Sequence, residues 1–567
     1  MKFGSSSLAC AAILAGAQAG VITKREDDNI DSNVGYLQIG FEKFHGHEFD
    51  TAVKNKRYSD IIAKRDNGAY SVDLLNRNTY YAANVEIGSS RQRVVALVDT
   101  GSSDFWVMGS SLCSSAGRDD SNIFRSNSAV GTASQTASGG SATATADCRT
   151  YGSFDPSNSS TWRENSTSFY VHYADTSAAS GPWGTDTIDF GSFSLENASI
   201  GVANFSNASI GGILGVGLAA TESTFSGIGL LSSQQTPYQY ENVPAMMVSQ
   251  GLIHKNAYSL FLNSIDADTG SILFGAVDHS KYSGQLYTLP ILRLYGSPSQ
   301  PVAMGFDITV QGVGITDGST YETITSSSFP ALLDSGTTLM YVPYTLSDLI
   351  AREIGATYSR NQGYYLMDCP SDDDTTQLVF DFGGLQINTN LSNYVIQASS
   401  TSNVCYLGII PTSNVLAIFG DVFLRDAYVV YDLDDLEISL AQANFNNDEQ
   451  NIDVITSDVP SATRAPGYSN TLTSANSITG GGNIFTLSGA TATGSGRASG
   501  VLSRGSQTTG STAGGRGISS ILPVTGGSSV TISTSQRSSS DRRNIGERAV
   551  PASWLFVVSS FIFSFFL

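Results

Sequence analysis

The sequence predicts a mostly β fold made of two related halves, and three observations predict it. First, two apolar runs each end on an acid in a Gly-containing turn: Val94 to Val98 enters Asp99-Thr100-Gly101-Ser102-Ser103, and Phe329 to Leu333 enters Asp334-Ser335-Gly336-Thr337-Thr338. Second, another short apolar strand follows each turn, Phe105-Trp106-Val107-Met108 in one half and Leu339-Met340-Tyr341-Val342 in the other. Third, Ile213-Leu214-Gly215-Val216-Gly217 lies 116 residues beyond the first acid, and Ile418-Phe419-Gly420-Asp421-Val422 lies 86 beyond the second, each separation counted to the shared glycine. The difference is nearly the length of the Ser-, Thr-, Ala- and Gly-rich stretch between Cys113 and Cys148, which reads as a loop insertion in the first half.

The tripeptide alone carries little weight. Asp268-Thr269-Gly270 has it too, but Ile265-Asp266-Ala267 before it and Ile272 to Phe274 after it read as a hairpin turn opening a strand. A single Asp in such a turn is an ordinary Asx-turn; two in matching contexts point to one shared site. Two carboxyls a few ångström apart cannot both ionise easily, so one holds a proton while the other is charged. A water between them can lose a proton to the charged carboxylate as it attacks a peptide carbonyl, while the protonated partner donates to the carbonyl oxygen. That chemistry needs no metal, cofactor or covalent intermediate.

With these motifs on the page, the chain resembles the pepsin-type aspartic endopeptidases, and more narrowly their fungal yapsin and candidapepsin branch, over about residues 66 to 446. Phe274-Gly275-Ala276-Val277-Asp278 is similar to another strand of that family. The resemblance implies a bilobal pepsin-like fold, two related β lobes with a central cleft and one catalytic Asp per lobe, Asp99 and Asp334. It implies that Ser102 and Thr337 hydrogen-bond the outer carboxylate oxygens, that Thr100 and Ser335 tie the two loops together, and that Gly101 and Gly336 complete the turns.

The family also closes its cleft with a hairpin flap that carries a Tyr. Phe169 to Ser177, followed by Gly181-Pro182-Trp183-Gly184, resembles that hairpin, with Tyr173 at the flap position, Trp106 as the indole that donates to its phenol, and Tyr170 as the competing candidate. Ala174 and Thr176 depart from the family's glycines. Asp175, just past the flap Tyr, implies a preference for Lys or Arg beside the scissile bond, because an unpaired carboxylate at a cleft mouth attracts a basic side chain. Cys113 with Cys148 and Cys369 with Cys405 are the pairings the family implies, one per lobe.

Residues 1–19 carry Lys2, an apolar run from Leu8 to Leu14 and Ala17-Gln18-Ala19, the pattern of a secretory signal peptide, which takes Cys10 with it. The other four Cys show no C-x-x-C spacing. Sequons at Asn158, Asn165, Asn197, Asn204, Asn207 and Asn390 suit a glycosylated surface. Residues 20–65 read as a propeptide ending at Lys64-Arg65, cut by a dibasic-specific processing protease, its basic residues covering an acidic cleft until low pH weakens the pairing. A solvated, unprocessed dibasic pair is the plainer alternative.

A formal charge of −20 argues against nucleic-acid binding. Residues 447–540, dominated by Ser, Thr, Gly and Ala, read as a disordered stalk. Residues 541–567 end in an apolar tail from Ala552 to Leu567 that falls short of the roughly 20 residues a spanning helix needs, with small residues at Ser538-Ser539-Ser540 upstream. This is the pattern of a GPI-attachment signal with Ser538 as candidate site; a retained membrane anchor is the alternative. The expected product is a monomer on the outer face of the plasma membrane, or transferred to the cell wall, acting on protein or peptide substrates. The competing readings are a non-catalytic pepsin-fold binding protein, which need not keep both acids, and a cell-wall glycoprotein, which leaves the duplicated motif without a cause. Neither G-x-S-x-G nor H-E-x-x-H occurs.

Overall fold

Strand Gln92–Asp99 buries its last six residues in succession, as a strand covered on both faces must. It sits near the middle of a 15-stranded sheet that spans the molecule. The computed structural model of the protein describes residues 35–45, 79–113, 148–173, 177–191, 193–208, 210–226, 238–267, 269–297, 299–360, 362–397, 403–447, 449–472 and 477–485. The signal peptide, Lys64-Arg65, the 114–147 insertion, Asp175, Ser538 and the apolar tail lie outside these residues.

The internal repeat is one of strand topology. Gln92–Asp99 pairs in parallel with Gly212–Gly215, Asp99 standing opposite Gly215, and Gly212–Gly215 pairs antiparallel with Phe105–Met108. In the second half Phe329–Leu333 pairs in parallel with Ala417–Phe419, which pairs antiparallel with Met340–Pro343. The match extends one strand further. Phe105–Met108 continues in parallel to Ser194–Ala203, and Met340–Pro343 continues in parallel to Ile409–Thr412. The chain therefore forms two β lobes. The second adds a four-stranded sheet of Tyr321–Thr325, Gly312–Thr316, Gln377–Asp381 and Gln386–Asn390.

Cys113 bonds Cys148 and Cys369 bonds Cys405, one bridge in each half. The Asp268 tripeptide, whose Thr269 and Gly270 are described, opens strand Thr269–Phe274 of a hairpin with Ala257–Phe261. All six sequon asparagines are exposed.

Two stretches behave differently from their composition. Within the expected propeptide, Leu37–His45 is a strand of the large sheet, paired with Thr269–Phe274 on one side and Thr79–Ile87 on the other. Its Ile39 and Phe41 are buried in the main core, so this part is built into the sheet. Within the expected stalk, residues 449–472 and 477–485 are folded onto the body. Ile452–Val454 pairs with Ala276–Asp278, and Ala462–Arg464 extends the large sheet beside Tyr282–Pro290. The reason is that average polarity over a hundred residues hides a few well-spaced apolar ones. Ile455, Val459, Ile484 and Phe485 are all buried.

Candidate active site

Asp99 ends strand Gln92–Asp99 and Asp334 follows strand Phe329–Leu333 directly, so the two parallel ladders hold both turns at their bases. Each turn is then closed by its own acid. Gly101 N–H donates to Asp99 Oδ1 at 2.8 Å and Ser102 Oγ to Oδ2 at 2.5 Å; Gly336 N–H donates to Asp334 Oδ1 at 2.9 Å and Thr337 Oγ1 to Oδ2 at 2.6 Å. Four donors thus fix the rotation of two carboxyls.

The turns also hold each other. Thr100 N–H donates to Ser335 Oγ at 3.2 Å, and Ser335 N–H donates to Thr100 Oγ1 at 2.9 Å. The same hydroxyls reach one strand further, Thr100 Oγ1 to the Leu333 carbonyl at 3.0 Å and Ser335 Oγ to the Val98 carbonyl at 2.8 Å. All four groups are buried, so a lost partner would leave a polar atom unsatisfied, at a cost of about 1–3 kcal/mol.

The glycines are required by this approach. A Cβ at Gly101 would stand 2.6 Å from Asp334 Oδ1, and one at Gly336 would collide with Asp99 Oδ1. Each carboxyl lies over the glycine of the opposite turn. Burial pushes the Asp99 carboxyl well above the usual carboxylate range and the Asp334 charge pushes it further, against the pull of the Ser102 hydroxyl and the Gly101 N–H. The rise favours a proton on the pair.

The flap strands Arg163–His172 and Ala178–Asp189 pair antiparallel up to His172 opposite Ala178, and Tyr173 N–H donates to the Ser177 carbonyl at 2.8 Å. Trp106 Nε1 donates to the Tyr173 hydroxyl at 2.7 Å. Trp106 is buried in a cluster with Phe169, Val171 and Leu97, against which Tyr173 packs. Strand alternation turns Tyr170 to the other face from Phe169 and Val171, so it is Tyr173 that meets the indole.

Three buried acids near the site carry no motif signal strong enough to single them out. Asp421, in the Ile418-Phe419-Gly420 element, is held far above its ordinary range by burial, with the Arg425 charge opposing and the Asp334 charge adding. Asp104, five residues past Asp99, accepts from Ser223 N–H at 2.9 Å and from the Tyr240 hydroxyl at 2.6 Å. Glu222 is fully buried beside it. An acid directly after an I-x-G strand is the one cue the sequence offered, and it marks Asp421 alone. Among the described residues no cluster of His, Cys, Asp or Glu is arranged to hold a metal ion, and no helix is long and apolar enough to cross a membrane.

A family model described as eukaryotic aspartyl protease matches residues 80–443. The chain is 41% identical to Aspartic proteinase 3 of Saccharomyces cerevisiae, covering 94% of each chain, and 43% identical to Aspartic proteinase yapsin-3 of the same yeast, covering 75% of this chain and 78% of that one. It is 32% identical to Secreted aspartic protease 9 of Candida albicans over 74% of this chain and 87% of the relative.

Proposed function

The chain belongs to the eukaryotic aspartyl protease family and is an aspartic-type endopeptidase of the yapsin type, and from that premise we propose how its residues divide the work. Asp99 and Asp334 share one proton. A water between them is activated by whichever carboxylate is charged, attacks the scissile carbonyl, and the partner's proton passes to the carbonyl oxygen; the tetrahedral intermediate then collapses with proton return to the leaving amine. Ser102, Thr337, Gly101 and Gly336 keep the outer oxygens occupied so that the inner pair faces the water. Thr100 and Ser335 prevent the lobes from drawing the acids apart. Tyr173, held by Trp106, closes the flap over the substrate and excludes bulk water.

The observation that carries this reading is the reciprocal seating of each carboxyl over the opposite turn's glycine. Its test is cleavage of a peptide library by wild type and Asp334→Asn across acidic pH. The variant is expected to be inactive; equal cleavage by both would overturn the mechanism.

The finer assignments stand on the sequence. The leader at residues 1–19 supports export, as does the word secreted in one relative's name. Ser538 and the apolar tail support a GPI tether on the outer face of the membrane, tested by release with a GPI-cleaving phospholipase. Lys64-Arg65 supports dibasic processing, tested by the N-terminus of the mature enzyme. Asp175 supports a preference for Lys or Arg; matched Lys and Leu peptides cleaved at equal rates would refute it.

A further inference from the structure

The family model stops at residue 443, yet described residues as far as Phe485 stay bound to the body. The first part of this stretch makes a two-stranded sheet with one strand of the body and then joins the edge of the large sheet. Ile452–Val454 pairs with Ala276–Asp278, Lys255 Nζ donates to the Ser457 carbonyl at 2.6 Å while bridging Asp432 and Asp435, and Ala462–Arg464 forms a parallel edge strand beside Tyr282–Pro290. Ile455 and Val459 complete a core with Tyr428, Val430 and Ala441 on that face of the sheet.

The chain then crosses to the second lobe. Gly467 N–H donates to the Gly383 carbonyl at 2.7 Å, Gln311 Nε2 to the Asn470 carbonyl at 2.7 Å, and Leu472 N–H to Thr309 Oγ1 at 3.1 Å. Its end occupies a seat made by missing side chains. Gly312 and Gly314 lie on one face of strand Gly312–Thr316; a Cβ there would come within 2.5 Å of Ile484 Cγ2 and 2.6 Å of Phe485 Cζ respectively. Ile484 and Phe485 form a separate core with Val379, and the Phe485 ring meets Tyr321 at 5.3 Å between centroids. Gln386 Nε2 donates to the Ile484 carbonyl at 2.9 Å.

Between the crossing and the seat, the same segment grips the turn that leads to the catalytic acid. Thr325 Oγ1 donates to the Thr479 carbonyl at 2.7 Å, Gly481 N–H to the Ile324 carbonyl at 2.9 Å, and Ser326 N–H to the Gly481 carbonyl at 3.0 Å. That turn joins Tyr321–Thr325 to Phe329–Leu333, whose next residue is Asp334.

We propose that residues 451–472 and 477–485 are an intramolecular clasp, an integral part of the catalytic unit, whose Ile484–Phe485 end docks in the Gly312–Gly314 seat and positions the strand that delivers Asp334. The catalytic unit then ends at Phe485, and any tether begins beyond it. The activity arm of the test rests on the dyad assignment above; the stability arm does not.

The test compares the secreted chain with chains ending at residues 485 and 446, and with full-length Phe485→Ala, Gly314→Val and the double variant. The chain ending at 485 is expected to match the full chain in melting temperature and kcat. The chain ending at 446 is expected to melt several degrees lower and, assayed well below its melting point, to lose kcat with KM little changed and to shift the alkaline limb of its pH profile. Since that chain can fail to fold, the point variants keep the inference exposed. Phe485→Ala removes the occupant and Gly314→Val fills the seat it would take, so both abolish the same contact and the double variant is expected to be no worse than the poorer single. Full melting temperature and kcat in the chain ending at 446, additive losses in the double variant, or lowered melting with kcat and pH profile unchanged in the folded enzyme would each overturn the clasp. If wild type cleaves nothing, the dyad reading fails while the melting comparison still decides whether the segment docks.

Discussion

Replacing Glu222 with Gln is expected to flatten the enzyme's loss of stability between mildly acidic and mildly alkaline pH. Glu222 is fully buried; its Oε2 accepts the Tyr240 N–H at 3.0 Å and its Oε1 meets no donor. Burial raises its pKa from 4.5 to about 8, with the Tyr240 N–H opposing and the Asp104 carboxylate adding to the rise. An acid whose folded pKa is raised binds its proton more tightly in the folded chain than in the unfolded one. The stability it contributes is therefore complete below pH 4.5 and is lost as pH climbs through about 8.

The rise from 4.5 to about 8, at about 1.36 kcal/mol per pH unit, amounts to about 5 kcal/mol over the whole window and about 3 kcal/mol of it by pH 7. Gln has the shape of the protonated acid and does not titrate. Urea unfolding of wild type and Glu222→Gln should give matching stabilities near pH 4 and a variant more stable by about 2–3 kcal/mol near pH 7. Asp104 is raised by burial in the same direction, so wild type keeps part of its slope in either case. Parallel stability curves for the two proteins across the window would refute the buried-acid account.

Ser102→Ala removes a donor that pulls the Asp99 carboxyl down, so the alkaline limb of kcat/KM should move to higher pH while kcat falls; an unmoved limb would separate the hydroxyl from the pair. Trp106→Phe leaves the Tyr173 hydroxyl without its indole donor, a loss of about 1 kcal/mol or roughly fivefold in kcat/KM, read with peptides long enough to span the flap. Cutting the chain after Arg65 should leave strand Leu37–His45 seated, because six residue pairs on one side, four on the other and the buried Ile39 and Phe41, each worth about 1.5–3 kcal/mol, outlast one broken peptide bond. The fragment should co-elute with the enzyme in native buffer and separate in denaturant; immediate loss in native buffer would show that the strand is held by the covalent link alone.

The acids and their turns were legible because the chemistry demands the same residues twice. A carboxyl that shares a proton needs a hydroxyl three residues on, a glycine where the other carboxyl lies overhead, and a strand beneath it, and each requirement leaves a letter in both halves. The Trp106–Tyr173 pair was legible only through the family resemblance, and the structure joins the two by one hydrogen bond. The choice between Tyr173 and Tyr170 needed the register of Arg163–His172, which alternation alone does not number.

What escaped the sequence is held by forces that leave little trace in side-chain pattern. Ile452–Val454 and Ala462–Arg464 dock by adding strands, and backbone hydrogen bonds ask almost nothing of the residues that make them. The seat for Ile484 and Phe485 is written as two absent side chains on a distant strand, so the glycines show no apolar seat and the Ile-Phe pair shows no partner when each is read alone. Leu37, Ile39 and Phe41 do alternate with Gln38, Gly40 and Glu42, a half-buried strand in plain view, but the dibasic Lys64-Arg65 downstream gave the whole segment the look of something to be discarded. Burial of Glu222 and Asp104 depends on Tyr240 folding back over both, a long-range contact that no local window contains. A catalytic constellation is constrained atom by atom at one point and repeats its letters; a clasp is constrained only as a surface, and many sequences satisfy it.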